Sequence, residues 1–222
     1  MKICLPIRES SQEKILEIFK ENQNDFDVFE VWLDAVENLD VKAFVAASQK
    51  PLLCVCKAKE EKGSFQGSEE DRIQLLVQAA QAGAAFIDIG IHTDAKLIQT
   101  AQERKGNAKL ILSCHNWDKT PKLTSILSKV DEMAIFKPDY IKYVATASKP
   151  EDNIHIFRLA DNLKKKGQKF IVMCMGKHGK MSRVITPLLG SEWMYAPKEV
   201  EKASAPGQIS ATELKQIWAI LG

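Results

Sequence analysis

The chain alternates between short apolar runs and longer segments with helical periodicity. Eight short runs are rich in aliphatic, β-branched or aromatic residues, a composition typical of buried strands. We expect these strands at residues 2 to 7, 26 to 33, 51 to 57, 85 to 91, 108 to 114, 139 to 145, 169 to 174 and 192 to 196. The clearest helices between them cover residues 10 to 21, 68 to 81, 93 to 103, 150 to 166 and 212 to 221.

Strand followed by helix, repeated eight times, predicts an α/β fold, a (β/α)8 TIM barrel that covers residues 1 to 222 as a single domain. Ser68 is expected to cap its helix, because charged residues fill the turn that follows. An open doubly wound sheet is the alternative. The turn after the first strand, PIRES, lacks the glycine-rich fingerprint that is usual in that fold.

The net charge and the cysteine spacing limit which partners and cofactors the chain is expected to bind. The 222 residues carry 31 Lys and Arg against 29 Asp and Glu, a formal net charge of +2, which favours neither nucleic acid nor an anionic membrane. Five scattered cysteines form no C-x-x-C pair, so we expect no zinc site or disulfide framework and a reducing, cytoplasmic location. No segment resembles a secretion signal or approaches the roughly 20 apolar residues of a membrane span.

The carboxyl ends of barrel strands surround the active site, so polar residues that end or follow a predicted strand are candidates for function. They are Glu30, Asp34, Lys57, Glu61, Asp88, His115, Lys142, Arg183, Ser204 and Gln208. The run of charges at residues 57 to 62 also has the pattern of a solvated surface cluster, and we expect most of its members to be exposed.

Lys142 lies within a predicted strand whose neighbours Ile141 and Tyr143 should face the helices, which turns Lys142 inward. Burial favours the neutral amine, and a neutral lysine can attack a ketone or aldehyde to form a Schiff base. The alternative is a strand-end lysine that reaches solvent or pairs with a carboxylate. His115 ends the preceding strand and is a candidate general base and general acid, with a capping or core histidine as the alternative.

The segment MCMGKHGKMSRV follows the seventh strand and has the features of an anion site. Gly176 and Gly179 allow the backbone to turn, a helix that starts near Lys180 offers free N–H groups, and Arg183 can hold a carboxylate or phosphate. These residues leave open which of the two anions binds. A basic surface loop is the alternative.

Together these motifs resemble the type I 3-dehydroquinate dehydratases, which act through a Schiff base. The matching segments follow one another over almost the whole chain: EVWLD from Glu30 to Asp34, Lys57 with Glu61, SCHNWDKTP around His115, DYIKYV around Lys142, MGKHGKMSR ending at Arg183, and SAPGQ from Ser204 to Gln208. No second domain follows Gly222, so a stand-alone enzyme is expected.

The resemblance implies the dehydration of 3-dehydroquinate to 3-dehydroshikimate in the shikimate pathway of aromatic amino acid biosynthesis. Lys142 would form an imine with the C3 ketone; His115 would remove the C2 proton and then protonate the departing C1 hydroxyl; Glu61 would orient the histidine. Arg183 would bind the substrate carboxylate, and the substrate hydroxyls would be bound by Glu30, Lys57, Ser204 and Gln208. The resemblance also implies a homodimer that needs no metal or organic cofactor.

Three positions depart from the family pattern: Trp32 and Lys57 stand where arginines are expected, and Gly90 stands where a glutamate is expected. Trp32 and Gly90 lie on alternate strands that supply one interior layer, so we hypothesise that the indole ring fills the space left at Gly90. Two other functions stay open: a Schiff-base aldolase on the same barrel, and a non-catalytic barrel that binds a small carboxylate or a protein partner.

Overall fold

The computed structural model describes residues 1–199 and 205–222. Within them, eight strands alternate with eight α-helices, and the strands follow one another in the hydrogen-bonded order β7-β6-β5-β4-β3-β2-β1-β8. The strands are β1 (Ile3–Ile7), β2 (Val28–Trp32), β3 (Leu52–Val55), β4 (Phe86–Gly90), β5 (Lys109–Asn116), β6 (Tyr140–Thr146), β7 (Lys169–Met175) and β8 (Met194–Tyr195). β1 pairs with β8, β3 with both β2 and β4, and β6 with β7, each time in parallel.

The helices are α1 (Gln12–Asn22), α2 (Val41–Ala47), α3 (Glu69–Gln81), α4 (Ala95–Arg104), α5 (Leu123–Ala134), α6 (Asp152–Lys165), α7 (Lys180–Leu189) and α8 (Ala211–Leu221). All eight predicted strands and all five clearest predicted helices are present, with ends within two residues of the prediction. Two helices were not among the predicted ones, because α2 is a short apolar segment and α5 begins without a side-chain cap at Lys122.

The chain forms two compact units, residues 6–112 and residues 1–5 with 113–222. In residues 6–112, the aromatic side chains Phe19 and Phe29 stack at 4.9 Å between α1 and β2. In the other unit, β6 pairs with β7 from Tyr140 to Thr146, and every residue of β6 except the last is buried. Among the residues described, no helix has the length and apolar character to cross a membrane.

Candidate active site

The predicted site residues fall into two groups, one in each unit. Residues 6–112 contain Glu30, Lys57 and Glu61, and residues 113–222 contain His115, Lys142, Arg183 and Gln208. Ser204 lies outside the described residues. The hydrogen bonds around each group are described below within its own unit.

Lys142 is buried in the middle of β6. Its residue is 5% exposed, and its Nζ atom lies 4.6 Å from the centre of the Tyr195 ring in β8. The face of an aromatic ring attracts a cation through the ring quadrupole. The predicted burial of this lysine is confirmed, and Tyr195 is a neighbour that the sequence pattern did not indicate.

His115 lies near the end of β5, which extends to Asn116 and so beyond the predicted end of the strand. Its ring is half-buried and stacks on the Trp117 ring, with centroids 5.2 Å apart and planes within 10°. The Thr146 hydroxyl at the end of β6 donates to the carbonyl oxygens of Asn116 and Trp117 at 3.2 and 2.8 Å. These bonds tie the ends of the strands that carry His115 and Lys142.

Arg183 lies in the first turn of α7 and is only 1% exposed. Its Nη1 atom donates to the Met173 sulfur at 3.5 Å, and its Nε atom has no hydrogen-bond partner within the described ranges. Loss of hydration on burial lowers the pKa of this guanidinium to about 10. A buried cation with so little compensation is unfavourable alone and is typical of a site that an anionic ligand completes.

The backbone around Arg183 is fixed by Ser182. The Ser182 hydroxyl accepts from the Cys174 backbone N–H and donates to the Gly179 carbonyl, both at 2.7 Å. The Ser182 backbone N–H in turn donates to the buried Asn153 side chain at 3.0 Å. The start of α7 near Lys180, which the sequence predicts, is therefore held to both β7 and α6.

The loop after β7 contacts the loop before α8. Gly176 has a φ of 83°, as a glycine turn at this position predicts, and its N–H donates to the Pro206 carbonyl at 3.0 Å. A Cβ atom on Gly207 would lie 2.2 Å from the Gly176 carbonyl oxygen, so the two backbones can approach this closely because residue 207 is a glycine. This contact places Gln208, which is buried, directly after the joined loops.

In residues 6–112, Lys57 and Glu61 belong to an ion cluster in which Lys57 and Asp88 are buried and Glu61 is half-buried. Lys57 is 3% exposed. Its ammonium donates to the Asp88 carboxylate at 2.6 Å and to the Glu61 carboxylate at 3.1 Å. The prediction that most of the charged residues from 57 to 62 are exposed is confirmed, because Lys59, Glu60 and Lys62 are exposed. Lys57 is an exception, because a carboxylate on the next strand draws the lysine inward.

Arg72 in α3 is a member of this cluster that the charge pattern did not predict. Its residue is 2% exposed, and its guanidinium donates to the Cys56 carbonyl at 3.2 Å and to the Thr93 hydroxyl at 2.9 Å. The acidic residues before Arg72 make it look like a solvent-facing charge. The available signal was its helical spacing from the buried Leu76, four residues later on the same face.

Asp34 fastens the loop that carries Lys57 and Glu61. One Asp34 carboxylate oxygen accepts from the Lys57 backbone N–H at 2.9 Å, and the other accepts from the Ser64 backbone N–H at 2.8 Å. Glu61 lies between these two anchored positions, so the loop is held at both ends.

The hypothesis that Trp32 fills the space beside Gly90 is wrong. The Trp32 indole N–H donates to the buried Glu30 carboxylate at 3.1 Å, and the Arg8 guanidinium lies 4.8 Å from the centre of the indole ring. The atoms nearest to a Cβ built on Gly90 all belong to the Glu61 carboxylate, at 2.4 to 3.2 Å. A carboxylate from the loop after β3 therefore takes the space that the sequence assigned to the indole.

The family model and the sequence relatives point to one family. A family model described as Type I 3-dehydroquinase matches residues 3–222. A 3-dehydroquinate dehydratase of Desulfotalea psychrophila is 32% identical over 224 residues, which cover 98% of this chain and 97% of the relative. A 3-dehydroquinate dehydratase of Dehalococcoides mccartyi is 33% identical over 214 residues, with 96% and 90% covered.

Two solved structures share the fold. The 3-dehydroquinate dehydratase of Geobacillus kaustophilus matches with a TM-score of 0.91 at 21% identity, covering 99% of this chain and 90% of that one. The type I 3-dehydroquinate dehydratase of Clostridium difficile, solved with covalently modified comenic acid, matches with a TM-score of 0.89 at 24% identity, covering 99% and 92%. The predicted fold class, a (β/α)8 barrel, is confirmed.

Proposed function

The chain belongs to the type I 3-dehydroquinase family and is a 3-dehydroquinate dehydratase, a hydro-lyase of the shikimate pathway, and we propose that it acts through a Schiff base on Lys142. The observation that carries this mechanism is the burial of Lys142 within β6. A lysine that must lose its proton before it attacks a ketone is best placed where water does not stabilise the ammonium.

The proposed reaction begins when the Lys142 amine attacks the C3 ketone of the substrate and water is lost. The resulting iminium acidifies the C2 proton, which His115 removes. The C1–oxygen bond then breaks, and His115 returns the proton to the departing hydroxyl, which leaves as water. Hydrolysis of the imine releases 3-dehydroshikimate and restores the amine. The imine is itself the electron sink, so the proposed reaction needs no metal or organic cofactor.

Two observations support the pairing of His115 with Lys142. The strands that carry them, β5 and β6, are neighbours in the sheet, and the Thr146 hydroxyl bonds tie their ends. The half-buried His115 ring is held flat against Trp117, which limits its orientations. Following the family resemblance, we assign Glu61 as the carboxylate that orients His115.

We propose that Arg183 binds the substrate carboxylate. Its guanidinium is buried and its Nε has no partner among the residues described, so an anion that enters would regain favourable electrostatic energy. Glu30, Lys57, Gln208 and Ser204 are assigned to the substrate hydroxyls by resemblance. We further propose that residues 1 to 222 act as one catalytic domain, as a cytoplasmic homodimer.

Trapping the imine tests the mechanism. Borohydride reduction in the presence of 3-dehydroquinate, followed by peptide mass analysis, should give a stable adduct on Lys142. Lys142→Ala should give no adduct and lose several orders of magnitude in turnover, measured by the ultraviolet absorbance of the conjugated product. Lys169→Ala is the matched control, because Lys169 also faces an aromatic ring, Tyr140 at 5.5 Å, but is exposed. It should behave as wild type.

The same assay separates the roles and the alternatives. His115→Ala should still form the adduct while turnover falls by at least about 100-fold, because proton transfer is slowed. Near-native dehydration by Lys142→Ala would contradict the Schiff-base assignment. Capture of a dihydroxyacetone-type donor in place of 3-dehydroquinate would favour the aldolase, and binding of 3-dehydroquinate without turnover would favour the non-catalytic barrel.

A further inference from the structure

We propose that Gly90 and Arg72 are positioning residues for Glu61: Gly90 leaves the space in which the Glu61 carboxylate lies, and Arg72 holds its outer oxygen. The inference rests on the proposed role of Glu61 in the dehydration. It adds two residues to the machinery of that reaction, neither of which needs to touch the substrate.

Gly90 ends β4, and the Glu61 carboxylate occupies the space that a side chain at position 90 would take. A Cβ at this position would lie 2.4 Å from Oε1, 2.9 Å from Cδ and 3.2 Å from Oε2 of Glu61. The first two separations are shorter than non-bonded atoms tolerate, so even alanine at position 90 would push the carboxylate away. The glycine is therefore a condition for the observed place of the carboxylate.

The backbone of Glu61 does not by itself enforce this place. Glu61 ends the short helical turn Lys59–Glu61, and its side chain is 17% exposed, so a rotation toward solvent is available to it. What holds the side chain inward is charge. Lys57 donates to Oε1 at 3.1 Å, and the Arg72 guanidinium lies 3.9 Å from Oε2.

Arg72 adds a second cation, at the other carboxylate oxygen of Glu61. The Lys57 ammonium is closer to Asp88, at 2.6 Å, and the Arg72 guanidinium is closer to Glu69, at 3.1 Å, so each cation is shared between two carboxylates. Arg72 is itself fixed by the Cys56 carbonyl and the Thr93 hydroxyl, so its guanidinium is pre-oriented when it faces Oε2. A fixed cation beside a partly buried carboxylate stabilises one rotamer without an ordering cost at the moment of reaction.

A displaced Glu61 should slow the chemical step more than it weakens substrate binding, because Lys57, the proposed binding residue that contacts Glu61, keeps its shorter bond to Asp88 at 2.6 Å. We therefore expect Gly90→Ala and Arg72→Met, each in the full chain, to lower kcat by about tenfold or more while KM changes by less than about threefold. Borohydride trapping on Lys142 should persist in both variants. Arg72→Lys keeps a cation near Oε2 and should recover part of kcat.

A double-mutant cycle shows whether the effect passes through Glu61. In the Glu61→Ala background there is no carboxylate to displace, so adding Gly90→Ala or Arg72→Met should lower kcat by less than about twofold further. Glu69→Gln is the matched control. The Glu69 carboxylate accepts from the Arg72 guanidinium at 3.1 Å. Its removal leaves the Glu61 side chain and the Arg72 charge in place, so kcat should be unchanged.

Each outcome bears on a separate claim. Wild-type kcat in Gly90→Ala, or full additivity in the cycle, would overturn the positioning role. Wild-type kcat in Glu61→Ala would instead overturn the proposed role of Glu61 in the reaction. If Gly90→Ala alone does not fold, as judged by circular dichroism, the Arg72→Met cycle still decides whether Glu61 is held in place by its neighbours.

Discussion

Replacing Arg183 with methionine should stabilise the folded protein and weaken substrate binding at the same time. Burial removes hydration from the Arg183 guanidinium and lowers its pKa from the ordinary arginine value to about 10. At 1.36 kcal/mol per pKa unit, this corresponds to about 3 kcal/mol of destabilisation in the unliganded protein. Methionine fills part of the same volume without a charge, so we expect a net gain of about 1 to 3 kcal/mol in the free energy of unfolding.

The sign of the pH dependence follows from the same shift. Because the pKa of Arg183 is lower in the folded than in the unfolded state, the folded protein binds fewer protons between about pH 10 and the higher pKa of an unfolded arginine. The penalty is therefore complete below this window and declines as the pH rises through it. Urea unfolding at pH 7 measures the full effect, and Arg104→Met, on the exposed face of α4, should stay within about 0.5 kcal/mol of wild type.

Ligand binding should move in the opposite direction. Loss of a charge-assisted contact in a dry site should lower kcat/KM by about 30-fold to 1000-fold, or about 2 to 4 kcal/mol. A carboxylated, quinate-like inhibitor should raise the Tm of the wild type and have little effect on Arg183→Met. A variant that is less stable than wild type and binds the inhibitor with unchanged affinity would refute the reasoning, because Arg183 would then support structure alone.

Three further outcomes follow from contacts described above. Ser182→Ala should lower the free energy of unfolding by about 2 to 3 kcal/mol in urea, because the buried Cys174 N–H and Gly179 carbonyl both lose their partner; a change under about 0.5 kcal/mol would contradict this. Asp34→Asn should cost about 1 to 3 kcal/mol by the same measurement, since an amide offers one acceptor oxygen where two backbone N–H groups donate; full stability would show that the loop is held otherwise. Burial raises the pKa of Cys54 to about 12, so iodoacetamide at pH 8 should label this thiol only after unfolding, and rapid labelling of the native protein would be the opposite result.

The strands follow from the local composition of the apolar runs, and the place of Lys142 follows from alternation along its strand. A strand whose odd and even positions differ in polarity defines its faces, and Lys142 between Ile141 and Tyr143 is inward by that rule. The same rule placed Trp32 and Gly90 correctly on strands. It does not predict which side chain fills the space beside Gly90. Alternation gives the direction of a strand side chain, whereas the Glu61 carboxylate enters that space from a neighbouring loop.

Arg72 shows a second limit. Its helix carries Glu69, Glu70 and Asp71 directly before it, and such a run indicates a solvated helix start. The guanidinium turns inward because buried acceptors, the Cys56 carbonyl and the Thr93 hydroxyl, are within its reach. Those acceptors lie 16 and 21 residues away in the chain, and no local pattern brings them together.

The ion cluster of residues 6–112 lies within one contiguous β–α–β stretch. Lys57 and Glu61 lie in the segment after β3, Arg72 lies in α3, and Asp88 lies in β4. No charge in this set therefore depends on a distant part of the sequence for the partners described. In a chimera with a relative, a transplanted segment from Leu52 to Thr93 would bring its own charge balance with it. A graft that exchanged Leu52 to Lys57 without β4 would remove the ammonium and leave the Asp88 carboxylate buried beside a side chain from the relative.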